Sequence, residues 1–167
     1  MHERRSPPAG AATLALAGLV CFVAVGAALV SQHAFAMQPC AWCVLQRAIF
    51  LCIGIACLIA AACKPGTPRL ALEGLGLILA LSGVASALWQ HFQAAASSSC
   101  KLSLADKIIG KWLGLSEMVP SVFEPRASCA DAQIELLGIA YDFWSLALFT
   151  VLAFWLVNSL RNAPSSK

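Results

Sequence analysis

Charge is what this sequence has least of. Only 11% of its 167 residues are Asp, Glu, Lys or Arg, where an average soluble domain carries about a quarter. The place of charge is taken by long apolar runs, and 60% of the chain is hydrophobic. That balance excludes an ordinary soluble domain and specifies an integral membrane protein, with one compact helical domain using the whole length. The net charge is only +3, and the basic residues are scattered among short segments. Nothing in that distribution suggests nucleic-acid binding. A second CxxC and ligand histidines close to the first are also missing, so the support a metal site would need is absent.

Four runs are long enough to cross a bilayer: about residues 11–30, 44–63, 70–89 and 141–160. Each approaches the ~20 residues that cover about 30 Å as a helix. A helix satisfies its own backbone in lipid, so the expected class is all-α, a four-helix membrane bundle. The first run, with Arg4 and Arg5 before it and Ala34-Phe35-Ala36 after it, has the outline of a signal peptide. Its apolar stretch exceeds the usual 7–15 residues of such a segment, which favours a retained span.

Four spans place both termini on one side, together with the turn after span two. These segments hold Arg4, Arg5, Lys64, Arg69, Arg161 and Lys167. The first opposite loop, about 31–43, has no lysine or arginine, and the long second one, about 90–140, is mixed in charge. The positive-inside rule then puts the termini in the cytoplasm. Parity puts both opposite loops in one compartment, on the far side of the membrane.

Eight cysteines divide by this topology. Cys21, Cys52, Cys57 and Cys63 lie in apolar runs and read as small packing residues. Cys40, Cys43, Cys100 and Cys129 lie at or beyond span ends, all on the non-cytoplasmic face, where disulfides persist. Cys40-Ala-Trp-Cys43 can open and close a disulfide within one helical turn. Pro39 suits the first turn of a helix, whose backbone N–H groups favour a nearby thiolate. Arg47, four residues after Cys43, shares its helical face. It keeps its charge, so it is suited to stabilise a Cys43 thiolate or a carbonyl oxygen gaining charge. The plainer reading is an arginine snorkelling to the interface. Trp42 marks that interface.

The second opposite loop begins with small polar residues before Cys100, suited either to presenting a cysteine or to serving as a linker. Residues 103–115 read as an amphipathic helix, with Leu104, Ile108, Trp112 and Leu115 at helical spacing and Ser103 and Asp106 placed as a capping box. Such a helix lies along the membrane surface or packs on the bundle. His91, just past span three, is either solvated or functional.

These residues resemble a known family. The segment Pro39-Cys40-Ala41-Trp42-Cys43-Val44-Leu45-Gln46-Arg47 resembles the PCxxCxxxR segment of the bacterial DsbB family, the disulfide bond formation proteins B. Gln90-His91 resembles that family's acidic-or-amide-plus-His pair. Trp112-Leu113, residues 119–123 and Cys129 resemble its loop. The resemblance covers nearly the whole chain. It implies an oxidoreductase of the bacterial inner membrane with two redox disulfides, Cys40–Cys43 and Cys100–Cys129, facing the periplasm. A DsbA-like thioredoxin-fold oxidase would be the thiol partner, and ubiquinone or menaquinone the electron acceptor. Arg47 and His91 would bind the quinone. Another family of four-helix disulfide relays, the vitamin K epoxide reductase-like proteins, sets its CxxC in a late span, whereas here it opens the second. A membrane metal-binding or transport protein, and a tetraspan scaffold stapled by disulfides, are the other readings of the same cysteines.

Overall fold

The computed structural model describes residues 9–94, 104–128, 135–136 and 138–162. Four long helices dominate: α1 (Ala9–Ala34), α2 (Ala41–Ala62), α3 (Thr67–Trp89) and a last helix (Tyr141–Arg161). All four are long and apolar enough to cross a membrane. The shortest has 21 residues, about 31 Å at 1.5 Å per residue. The fold is an all-α membrane four-helix bundle. Between α3 and the last helix come a π-helical turn (Gln90–Ala94), α4 (Leu104–Asp106) running on as a π-helical segment (Lys107–Trp112), α5 (Leu115–Met118) and α6 (Pro120–Phe123). A two-stranded antiparallel ribbon, β1 (Glu135–Leu136) with β2 (Ile139–Ala140), leads into the last helix, α7.

Packing follows chain order, α1 on α2, α2 on α3 and α3 on α7, while α1 meets α7 only sparsely. Leu14, Ala17 and Cys21 of α1, Ile53 and Cys57 of α2, Ala80 of α3, and Phe149, Leu152 and Leu156 of α7 form one buried core. Lipid tails are as apolar as this core, so close backbone approach and shape hold such helices together. Gly18 and Gly54 supply the approach of α1 to α2: a Cβ on Gly18 would stand 3.0 Å from the Gly54 carbonyl oxygen. Gly83 forms a notch for Phe149, whose ring would collide with any Cβ there. Phe149 in turn stacks on Phe50 at 3.9 Å, so one aromatic joins α2, α3 and α7. The outer faces carry exposed Val23, Ile78 and Phe154, the surface that a hydrocarbon solvent accepts.

The loop end of the bundle gathers the end of α1, the start of α2, the end of α3 and the start of α7. Exposed Trp89, Phe92, Phe143 and Trp144 ring this level, as aromatic residues do at a membrane boundary. The expected helix over 103–115 is shorter and irregular. Ser103, half of its capping box, lies outside the described residues, and Gly114 in the left-handed region (φ 61°) ends the segment. Its buried side is set by Ala105 and Ile109, while Leu104 and Trp112 are exposed. Ala105 packs against Cys40, Ala41 and Trp42; Ile109 packs with Val44, Ala48 and Phe123. The segment thus sits on the start of α2 with a second apolar face, including Leu113 and Met118, exposed.

Candidate functional site

Cys40 caps α2. Pro39 ahead of it favours an extended approach, and Cys40 adopts φ −83°, ψ 170°, the β-region geometry of an N-cap. Its Sγ accepts the Cys43 backbone N–H at 3.4 Å. One turn into the helix, the Cys43 Sγ lies 3.0 Å from the Cys40 Sγ. Cys40 is fully buried, covered by Ala41, Trp42 and Ala105. Trp42, expected at the interface, is itself buried.

A chain of amides reaches the second sulfur. Gln90 donates from Nε2 to Cys43 Sγ at 3.3 Å, and Gln46 donates from Nε2 to Gln90 Oε1 at 2.9 Å. Both glutamines are buried. Gln46 therefore turns the Gln90 carboxamide so that its N–H faces sulfur. Such a donor favours the thiolate over the thiol.

Arg47 does not snorkel. It is buried, and its guanidinium donates to Gln32 Oε1 at 2.5 Å, to the Val122 carbonyl at 3.2 Å and to the Ala28 carbonyl at 3.3 Å. Gln32 also donates to the Ser121 carbonyl at 3.3 Å. Arg47 and Gln32 thus join α1, α2 and α6. Among the described residues no carboxylate stands within ion-pair distance of Arg47. A buried cation held only by neutral acceptors offers its charge to whatever anion forms nearby.

Beside these groups lies a cavity of about 430 Å³ in the sparse seam between α1 and α7. Its walls are Ala24, Ala27, Ala28 and Ser31 of α1, Cys43, Gln46, Arg47 and Phe50 of α2, Gln90, and Tyr141, Asp142, Trp144, Leu148 and Val151 of α7, among others. The size falls within the ~300–1,000 Å³ of small-molecule sites, as does the pattern of apolar walls with a few convergent polar groups. The position, inside membrane-crossing helices, suits a ligand dissolved in lipid. An aromatic ring with oxygen substituents fits the wall chemistry: apolar side chains for the ring, the Arg47 cation for an oxygen.

His91 does not line that cavity. Its Nδ1 lies 2.8 Å from Asp142 Oδ2, and Asp142 does line it. The His91 ring also meets Phe92 and Phe143 at 5.0 and 4.5 Å. Cys100 and Cys129 lie outside the described residues. The segment ahead of Cys129 does not: the backbone N–H groups of Arg126 and Ala127 both donate to the Pro39 carbonyl, at 2.9 and 3.3 Å. Sequence reasoning did not find Gln32 or Gln46, and gave Asp142 no partner. Gln32 and Gln46 carry no charge to betray them in an apolar run; Asp142, an acid at a span entrance, carried the signal. Of the four cysteines expected to pack, Cys21 and Cys57 are buried in the core, whereas Cys52 is exposed on the outer face of α2 and Cys63, just past its end, is half-buried. Among the described residues no group of three or more His, Cys, Asp or Glu could hold a metal ion.

Comparison with known proteins gives the chain its relatives. A family model described as disulfide bond formation protein DsbB matches residues 10–158. A disulfide bond formation protein B of Ralstonia nicotianae is 34% identical over 148 residues, covering 87% of this chain and 90% of that protein. One from Cupriavidus metallidurans is 32% identical, with 87% and 89% covered. A disulfide bond formation protein B 2 of Pseudomonas syringae pv. syringae is 34% identical, with 83% and 81% covered. With its four membrane-crossing helices and a match that runs from α1 to near the end of α7, the chain belongs to the DsbB family of disulfide bond formation proteins.

Proposed function

We propose that this protein reoxidises a DsbA-like periplasmic dithiol oxidase and passes the electrons through two cysteine pairs to a membrane quinone. It would sit in the bacterial inner membrane with its termini in the cytoplasm and its cysteine loops in the periplasm. The observation that carries the reading is the placement of Cys43 and Arg47 together on the wall of an apolar cavity between α1 and α7. A sulfur that faced only water would need no such cavity, and a structural disulfide would need no buried, unneutralised arginine beside it.

The residues divide the work. A partner thiolate attacks the Cys100–Cys129 disulfide, Cys100 takes the mixed disulfide and the Cys129 sulfur leaves. That sulfur then attacks the Cys40–Cys43 disulfide at Cys40. The bonds from Arg126 and Ala127 to Pro39 support this step: Ala127 is two residues before Cys129, and two residues reach at most ~7 Å. Cys40 is covered, so a thiol delivered by the loop reaches it more readily than one from bulk water. Cys43 leaves as a thiolate, received by the Gln90 N–H and the Arg47 charge. A bound quinone supplies the two-electron acceptor. Arg47 would hold an oxygen that gains charge, and the apolar walls would exclude water from the exchange.

The test is quinone reduction by the purified protein with a reduced thioredoxin-like periplasmic oxidase as donor, followed by quinone absorbance. Wild-type turnover that vanishes in Cys43→Ala is expected. A folded, quinone-loaded wild type that transfers nothing from any such donor would overturn the proposal.

A further inference from the structure

We infer that His91 and Asp142 form a proton entry route from the loop-side surface into the α1–α7 cavity. The inference rests on the quinone reading above. In that reaction a dithiol and a quinone become a disulfide and a quinol. Two electrons arrive through sulfur, but the thiolates that carry them bring no protons. The partner's two thiol protons are released in the aqueous compartment, so two protons must enter the cavity separately.

Among the described residues, Asp142 is the only carboxyl group on the cavity wall. Arg47 cannot give up its proton, and the two amides cannot relay one readily. The Tyr141, Ser31 and Ser145 hydroxyls also line the wall and can pass a proton on inside the cavity, whereas Asp142 is hydrogen-bonded to a side chain that reaches the surface. Asp142 is 9% exposed, whereas the His91 side chain is 30% exposed. Thus one member of the pair touches the cavity and the other reaches the surface, with 2.8 Å between Nδ1 and Oδ2. The Asp142 Oδ1 accepts the Phe143 backbone N–H at 3.1 Å, which fixes the carboxylate and leaves Oδ2 to the imidazole. Phe92 and Phe143 pack against the ring, and the bond to Asp142 leaves Nε2 as its remaining nitrogen. Two ring nitrogens allow imidazole to take a proton at one and give it up at the other.

The sequence of steps follows. His91 donates its Nδ1–H to Asp142 Oδ2 at rest. Nε2 takes a proton from water, the Nδ1 proton passes to Oδ2, and the carboxylic acid delivers it into the cavity. Each passage leaves the ring proton on Nε2, so the imidazole turns and exchanges protons with water to regain its Nδ1–H before the next. Two passages per cycle balance the two electrons, and the protons lost by the partner dithiol equal those taken up. A pair that serves only to tie the end of α3 to the start of α7 would have none of this behaviour.

The experiment uses the full-length protein, pre-reduced at its cysteines, with ubiquinone-1 as the probe. Single-turnover quinone reduction is followed in H₂O and D₂O for wild type, Asp142→Asn and Asp142→Glu. Asp142→Asn should slow the step by roughly 100-fold, the lower end of what a positioned acid contributes, and enlarge the solvent isotope effect. Asp142→Glu should restore part of the rate, and quinone binding should be unchanged in both. In quinone-free protein, ¹⁵N spectra of labelled histidine, assigned with His91→Gln, should show the His91 proton on Nδ1, with that preference lost in Asp142→Leu. An Asp142→Asn protein with wild-type rate and isotope effect, or a His91 protonated on Nε2 alone, would overturn the route while leaving the quinone reading intact. A wild type that reduces no quinone would remove both.

Discussion

Replacing Arg47 by His removes the donors that hold Gln32 Oε1 and the Val122 and Ala28 carbonyls. It also removes the permanent charge beside Cys43. The loop keeps other ties, namely Gln32 to Ser121 and the two backbone bonds onto Pro39. The expected outcome is therefore unequal damage to the two half-reactions. Quinone reduction should fall by about 100-fold, as when one preorganised oxyanion donor is lost, while exchange between the partner thiol and the cysteine pairs falls less, because the Gln90 N–H still receives the Cys43 thiolate. Stopped-flow measurement of each half-reaction checks this, and equal loss in both would contradict the role given to Arg47. At this scale the sequence was legible where charge or reactivity stood out against an apolar background, at Arg47 and the CxxC; Asp142 carried the same signal but was given no role. Gln32 and Gln46 were not, because Gln46 meets Gln90 across 44 residues and Arg47 meets Gln32 across 15. Nothing local announces a neutral amide whose partner lies on another helix.

The long helices could be read from hydropathy because a bilayer imposes length and apolarity on each span separately. The loop between α3 and α7 is under no such rule. There the apolar residues at 104, 108, 112 and 115 suggested one stripe, yet Ala105 and Ile109 are the buried pair. α4 lasts only to Asp106 before the backbone widens into a π-helical segment, which turns later residues away from an α-helical stripe. The small Ala105 packs beneath the Cys40–Trp42 turn. Within the spans, sequence gives the helices but not which face meets which neighbour, and Gly83 shows why. Its value lies in the Phe149 ring that fills its notch, 66 residues away. Gly83→Val should force that ring and the Phe50 stack apart, at a cost of about 1–3 kcal/mol typical of overpacking. Gly74→Val, in the same helix but with nothing within 4 Å of a new Cβ, serves as the control. Thermal unfolding in detergent should show a lowered midpoint for the first variant and little change for the second. Equal midpoints would mean that the Phe149 notch does not hold α3 to α7.

For the whole molecule, orientation decides whether the site chemistry is possible at all. Four crossings put the α1–α2 and α3–α7 connections at the same end of the bundle, so the two cysteine regions share one compartment whichever way the protein inserts. If that compartment were the cytoplasm, the glutathione pool would keep the cysteines reduced and nothing would be passed to a partner as a disulfide. The short segments favour the proposed orientation: Lys64 and Arg69 flank the α2–α3 turn, and residues 31–39 hold no lysine or arginine, the asymmetry on which the positive-inside rule rests. Glu73, buried and paired with Arg69 at 2.8 Å, does not oppose this bias, because acidic residues weigh little in it. Two single additions to a variant lacking the eight native cysteines test the placement. Ser116→Cys, in α5 at the cysteine end, should react with a membrane-impermeant maleimide in intact spheroplasts. Pro65→Cys, in the α2–α3 turn, should react only after the membrane is opened. The reverse pattern would place the CxxC in a reducing compartment, and the relay from an extracytoplasmic dithiol to a membrane quinone could not operate.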